Sequence, residues 1–270
     1  MTTPSSYGIV ERTTAASDAD FHAERIRVSG FTVIPGTYVP DELAYFSRRI
    51  DGLLVEQADR AGGIEALAAI REHETLRCCL AYDEAFVRLA ANANVMEVCR
   101  RLLGEYFVLT QQNAIVNPAG HPHRQVACHR DLPYQHFVSS RPLAVSALFC
   151  VDAFTLDNGA TVVLPGTHKI EQFPSDALVG DIELSVEAPA GSFMFDSMLF
   201  HRAGHNDSAM PRRAVNQVYA LPFIGQQISI PDMLGGRYSD EPALARLLGY
   251  ETRPAPSVEA WWSSRRARRH

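Results

Sequence analysis

His129, Arg130 and Asp131 stand together near the middle of the chain, and His201 follows far downstream. Two imidazoles and one carboxylate can occupy one face of an iron(II) octahedron, leaving three positions for a chelating co-substrate and O2. On a strand, residues i and i+2 point to the same side, so His129 and Asp131 can reach one ion from a single strand end. Arg130 then points elsewhere, and His201 must arrive from a different strand. Zinc accepts the same ligands, but a structural zinc normally wants four, usually including thiolates. The short histidine–x–aspartate pattern is common by chance, and Arg212 is what raises it. Its planar guanidinium can grip a carboxylate in bidentate fashion, as the far end of a keto-dicarboxylate co-substrate requires. Arg213 is its neighbour, and only one of the two can face inward if a strand has already begun there.

The elements that must position these residues read as helices first and short strands after. Good helix formers run from Asp18 to Ser29, and a short apolar strand lies between Gly30 and Gly36. Pro40, Asp41 and Glu42 suit the first turn of a helix. Leu43, Phe46, Ile50, Leu53 and Leu54 give that helix one apolar face, and Gly62-Gly63 ends it. A further helical stretch is expected over about 83–103. From 106 onward the pattern is β: 106–117, 143–151, 160–164, 192–195 and 214–223, with 125–128 leading into the histidine–x–aspartate segment. This order predicts a mostly β fold with α: a jelly-roll or cupin-like barrel with a helical N-terminal layer on one sheet. One domain over 1–270 is expected, with its core at about 30–223 and a C-terminal extension over 224–270.

The net charge of −6 disfavours a general nucleic-acid partner. The locally basic tail from Arg265 to His270 reads as a solvated terminus. No apolar run approaches the roughly 20 residues a membrane span needs, and the N-terminus lacks the basic and apolar regions of a signal peptide. Five cysteines, an odd number without regular spacing, argue for a reducing cytoplasm rather than a disulfide framework. Cys128, beside His129, reads as a packed thiol. A cytoplasmic protein with a small-molecule partner is expected, its oligomeric state left open.

Three segments together carry a resemblance. His129-Arg130-Asp131-Leu132-Pro133-Tyr134, then Asn158-Gly159-Ala160-Thr161-Val162-Val163-Leu164-Pro165-Gly166-Thr167-His168-Lys169, then His201 with Arg212, resemble the phytanoyl-CoA dioxygenase-like family. The likeness runs from about Gly30 to Phe223, and the Asn-Gly-Ala to Pro-Gly-Thr-His segment is its most specific part. It implies a double-stranded β-helix and an Fe(II)- and 2-oxoglutarate-dependent dioxygenase using O2. It further implies that His129, Asp131 and His201 bind iron and that Arg212 binds the tail of 2-oxoglutarate. Family members also set a polar side chain against the co-substrate from the strand before the metal loop; Gln111 matches best and Asn113 shares its face. One departure stands out. Members often carry a hydroxyl residue two positions after the distal histidine, where this chain has Ala203. Another group such as Thr110 would have to supply that hydrogen bond.

Related halogenases replace the metal carboxylate with a small residue, so Asp131 favours hydroxylation. Desaturation, epimerisation or ring formation would use the same ligands. A 2-oxoglutarate-independent metalloenzyme or a non-catalytic sensor on the same barrel is a further reading, against which Arg212 and the intact triad both speak. Among the remaining residues, Tyr134 and Gln135 stand where they can border the cavity, and His123 with His121 sits in the loop before the metal motif. His168 reads as a turn residue and His205 as a loop residue rather than ligands. Trp261 and Trp262 are expected to dock the tail, because exposing them is costly. The substrate pocket is expected from the N-terminal helices, the 119–125 loop, residues 133–138 and the region after Phe223. Those segments suit a small specialised metabolite, polar or amphipathic.

Overall fold

A computed structural model describes residues 13–121, 123–132 and 135–267. Tyr134 lies outside the described residues, as does 268–270 of the basic tail. The first helix, α1 (Asp18–Ser29), is capped by the Ser17 side chain and ended by Gly30 at φ 91°, a left-handed conformation natural to glycine. Strand β1 (Phe31–Ile34) follows directly. Helix α2 (Pro40–Arg60) opens at Pro40, and Glu42 reaches back to accept from the Val39 N–H at 2.9 Å. After it come α3 (Ile64–Ala69) and β2 (Thr75–Arg77).

The helical stretch expected over 83–103 is two helices, α4 (Glu84–Ala90) and α5 (Ala93–Leu103). Asn92 is the reason. Its side chain accepts from the Asn94 and Val95 N–H groups, so it caps a new helix rather than continuing the old one.

Strands β3 (Val108–Asn117), β4 (Ala144–Cys150) and β5 (Thr161–Val163) fall where the apolar runs placed them. Then come α6 (Asp176–Ile182), β6 (Leu184–Val186), β7 (Phe193–Asp196), β8 (His201–Arg202) and β9 (Arg212–Ala220). The C-terminal region adds α7 (Ile230–Leu234), α8 (Pro242–Leu247) and α9 (Val258–Ala267). The short elements α6, β6, β8, α7 and α8 carry too few residues for a period to show in sequence. One large antiparallel sheet has the order β1-β7-β4-β9-β3-β2, and a smaller one has β6-β5-β8. The architecture is a double-stranded β-helix with a helical layer on the large sheet.

Strand alternation gives the large sheet two different faces. Val145, Ala147 and Phe149 of β4, Val215 and Tyr219 of β9, and Phe193 and Phe195 of β7 pack into one apolar core with the N-terminal helices. Phe46, Ile50 and Leu53 from α2 and Phe86 and Leu89 from α4 fill its other side. The residues between them, Ser146, Leu148, Ala214, Asn216, Met194 and Asp196, line a pocket inside the barrel.

The expectation for the C-terminal tryptophans fails. Trp261 and Trp262 do not dock the tail: they are 53% and 54% exposed on α9, where Arg265 of the same helix lies 5.6 Å from the Trp261 ring centroid. Among the described residues no helix is long and apolar enough to cross a membrane.

Candidate metal centre and co-substrate pocket

The segment leading into His129 is irregular rather than a strand. What brings the two histidines together is a single antiparallel bridge between them. The His129 N–H donates to the His201 carbonyl at 2.9 Å, and the His201 N–H donates back at 3.0 Å. The ring centroids are 4.6 Å apart as a consequence.

Both rings are oriented by backbone carbonyls. His129 Nδ1 lies 3.0 Å from the Ala127 carbonyl, and His201 Nδ1 lies 3.2 Å from that of Leu199. A carbonyl only accepts, so each Nδ1 carries a proton, and Nε2 is the nitrogen left to bind a metal once it is deprotonated. His201 Nε2 stands 3.6 Å from Asp131 Oδ1. One ligand atom from each of His129, Asp131 and His201 can be chosen so that all lie within 4.8 Å of one another. The other Asp131 oxygen accepts from Asn216 Nδ2 at 3.2 Å, and Asn216 Oδ1 accepts from the Ser146 hydroxyl at 2.7 Å. Two imidazole nitrogens with oriented lone pairs and one braced carboxylate fit a divalent iron.

The charges here are tightly coupled. Burial alone would lower the His201 pKa, but the Asp131 and Asp196 carboxylates outweigh it and hold the ring at about 9. Burial would likewise raise Asp131, yet His201 and His129 hold it well below the usual carboxylate range. His129 is lowered, first by burial and then by the nearby His201. Asp196, which the sequence reading passed over, is buried in the same pocket. Its Oδ1 has no protein partner. Burial pushes its carboxyl up to about 7, with Asp131 adding to the shift and His201 opposing it. The signal was present: Asp196 is a carboxylate closing an otherwise apolar strand, in step with inward-facing Met194.

The pocket runs along β9. Asn216, Ala214 and Arg212 share its inward face, so Arg212 stands roughly 13 Å of strand from the residue that braces Asp131. Arg212 is 5% exposed, and burial pushes its pKa down to about 10. Its guanidinium carbon sits 3.8 Å from the Phe154 ring centroid, and its Nε donates to the Asn158 carbonyl at 3.3 Å. Among the described residues no carboxylate lies within ion-pair distance of it. Arg213 faces outward and is paired with Asp51 at 2.8 Å and Asp152 at 3.3 Å.

Glycines let the two strands of this wall meet. A Cβ on Gly159 would lie 2.5 Å from the Gly204 carbonyl oxygen, and one on Gly204 would lie 2.5 Å from that of Ala160. In the resulting register Val163 faces His201 and Val162 faces Arg202, so Thr161 falls opposite Ala203. Both line the pocket. Thr110, considered as the source of the missing hydroxyl, is elsewhere: it lines a separate outer cleft and donates to the Val218 carbonyl at 3.0 Å. Thr161 is the hydroxyl that stands beside Ala203.

The other sequence candidates fall as follows. Gln111 lines the outer cleft, not the inner pocket. Asn113 shares the register of Asn216, but its amide donates to Gln227 Oε1 at 2.9 Å and its oxygen accepts from the Cys78 N–H at 3.2 Å. Gln135 borders the outer cleft while clamping the metal loop, accepting from the Arg130 N–H at 2.7 Å and donating to the Leu132 carbonyl at 2.8 Å. His123 is buried in the inner pocket wall, with Glu74 Oε2 3.4 Å from its Nε2. Burial lowers it to about 4. Gln125 also lines that pocket, and its Nε2 lies 3.4 Å from His129 Nε2. His168 holds the Arg27 carbonyl at 3.2 Å, and His205 pairs with Asp207 at 3.0 Å, both away from the triad. Cys128 is half-buried, with its thiol pKa raised by burial.

The outer cleft meets the inner pocket at Asp131. Its lining comes from β3, the segment after Asp131 and residues 223–227. The N-terminal helices and the 119–125 loop, expected to contribute, do not line it. Helix α1 instead borders a third cleft, and the loop closes the inner pocket.

Comparison with known proteins agrees with this geometry. The uncharacterized protein Rv1501 of Mycobacterium tuberculosis is 33% identical over 208 residues, covering 74% of this chain and 76% of its own. The ectoine dioxygenase of Sphingopyxis alaskensis is 25% identical over 224 residues, covering 70% and 72%. The crystal structure of EctD from S. alaskensis with 2-oxoglutarate and 5-hydroxyectoine superposes with a TM-score of 0.61 at 23% identity, covering 78% of this chain and 79% of that one. The epimerase SnoN from nogalamycin biosynthesis shares the fold at a TM-score of 0.57 and 19% identity, covering 76% and 81%. The profile of the phytanoyl-CoA dioxygenase (PhyH) family matches residues 26–214, and the chain belongs to that family.

Proposed function

We propose that this dioxygenase uses iron(II), held by His129, Asp131 and His201, together with 2-oxoglutarate, to hydroxylate an unactivated C–H bond of a small molecule, in specialised metabolism. The observation that carries the reading is Arg212: a buried guanidinium without a carboxylate partner, at the far end of a pocket that begins at the triad. A buried cation is costly unless paired, and a dicarboxylate supplies the partner. When bound, iron with 2-oxoglutarate and O2 supplies the oxidising power, leaving succinate and CO2 as co-products.

The chain's own residues divide the remaining work. The Ala127 and Leu199 carbonyls keep both Nε2 lone pairs aimed at one point. Asn216, itself held by Ser146, fixes the Asp131 carboxylate. Arg212 clamps the distal carboxylate of 2-oxoglutarate, and Thr161 donates to it from across the strand pair. His123 and Gln125 close the pocket wall and keep water from the co-substrate. The outer cleft, open at Asp131, aims the substrate C–H at the metal.

Incubation with Fe(II), ascorbate and 2-oxoglutarate tests this through succinate release. Absence of succinate with every substrate tried, together with an iron–2-oxoglutarate absorption band that ignores Arg212→Ala, would sink it.

A further inference from the structure

We propose that the substrate carries a phosphate-bearing group, and that a basic cleft beside the outer cleft binds that group; the proposal rests on the oxygenase reading above. Among its described residues the outer cleft offers an anion no uncommitted cation. The charged residues in its described lining are Arg130 and Asp131, and both are committed. The Arg130 guanidinium donates to the carbonyls of Met198 at 2.8 Å, Thr167 at 2.9 Å and Ile170 at 2.5 Å, and also to that of Gln135. Phe200 covers its face at 3.8 Å. The remaining lining is uncharged, with Leu132, Leu143, Val218 and Ile224 as apolar wall and the Gln111 amide as a polar group. Such a surface suits an uncharged body with a hydrogen-bonding group.

The neighbouring cleft is different. Arg27, Arg141 and Lys169 line it with Ser139, Ser140 and His168, and among the described residues no acidic one joins them. That is unexpected in a chain of net charge −6. Among the described residues none of the three cations has a carboxylate within ion-pair distance; the Arg27 fork donates to the Arg101 carbonyl at 2.6 Å. They come from three separate places: the last turn of α1, the segment before β4 and the turn that ends the Pro-Gly-Thr-His run. A solvated face on one helix would not converge this way. Like charges gathered in one cleft repel unless a counter-charge joins them, and guanidinium, ammonium and hydroxyl groups are the donors that phosphate oxygens accept from.

The two clefts adjoin at Met198. Met198 lines both, and the segment between Phe137 and Leu143 divides them, with Phe137 and Leu143 on the outer cleft and Val138 to Pro142 on the basic one. A ligand passing Met198 can rest its phosphate on Arg141 and Lys169 while its uncharged body lies against Asp131.

The test titrates the full-length chain by calorimetry with inorganic pyrophosphate, UDP and coenzyme A, without added metal so that chelation does not intrude. The expected result is binding that weakens with salt and falls at least tenfold in Arg141→Glu/Lys169→Glu. Both positions are exposed, so the fold should survive, and an unchanged melting curve verifies this. Tighter binding of UDP assigns a nucleotide conjugate, tighter binding of coenzyme A a thioester, and equal binding of all three a simple phosphate ester. Absence of binding by all three probes overturns the proposal. So does binding that survives charge reversal, or that 2-oxoglutarate displaces, since the anion would then sit at Arg212. Succinate release without anion binding leaves the oxygenase reading intact; anion binding without succinate leaves the cleft and removes the oxygenase.

Discussion

The inner pocket and the outer cleft meet at Asp131 but are built from different parts of the chain. The inner pocket is walled by strands, and its polar side chains are fixed in place: Asn216 on Asp131, Ser146 on Asn216, Arg212 on Phe154. The outer cleft owes much of its lining to the stretch after Asp131 and to residues 223–227, with Phe223 73% exposed and Phe137 47% exposed at its edge. Strand walls hold a reacting centre to a fraction of an ångström, whereas loops can be remodelled without disturbing it. On the oxygenase reading, the sheets and one bridged loop hold the reacting groups, while the segments around 135–143 and 223–227 meet the substrate.

Several changes would break or sharpen that contrast. The largest effect is expected from His201→Ala or His129→Ala, which should abolish both iron retention after reconstitution and succinate release. Full occupancy in either variant would refute the ligand set. Next comes the acid limb of stability. Burial holds His123 at about 4, against an ordinary 6.5. As pH falls below 6.5 the unfolded chain takes up a proton that the fold refuses until about 4. Stability present above pH 6.5 is therefore lost progressively down to pH 4, by on the order of 3 kcal/mol. Urea midpoints at several pH values should show this loss, and His123→Asn should flatten it; parallel curves for the two proteins would contradict the assignment.

Arg212→Ala should raise the 2-oxoglutarate KM by roughly 10- to 100-fold, the worth of a charge-assisted pair, with a smaller effect on substrate KM. Thr161→Val removes one hydroxyl–carboxylate hydrogen bond and should raise the same KM about tenfold. Restoration by the added hydroxyl of Ala203→Ser would confirm that the two positions share one task. Phe223→Ser should be smallest of all on 2-oxoglutarate, leaving its KM unchanged while altering substrate KM. A shift in co-substrate KM there would mean the two regions are not independent.

Much of the inner site was legible because its chemistry needs particular residue types. Histidine, aspartate and arginine at these spacings have few other uses together, and the Asn158 to Lys169 segment placed them in a family. The inward position of Arg212 rather than Arg213 also followed once alternation met the register of β9. Other features were not legible. Asp196 fell just past the strand expected over 192–195, and only the sheet shows that it faces the pocket. The split at Asn92 was missed because a capping asparagine and an exposed helix asparagine look alike in sequence. Gln111 and Asn113 share a face of β3 with Ile115, but Gln111 lies beyond the inner pocket, opposite Val218 and on the outer cleft. The Cys78 backbone N–H and the Gln227 side chain then decided where Asn113 points.

By itself, the sequence pointed to a candidate metal triad, a candidate dicarboxylate clamp and the barrel with its helical layer, because donor chemistry and two-residue periodicity are local properties. Tertiary structure alone decided that Thr161 stands opposite Ala203, that His123 closes the co-substrate pocket and that Arg27, Arg141 and Lys169 share one cleft. Those neighbours are far apart along the chain, and pairing register and packing, which no short stretch encodes, bring them together.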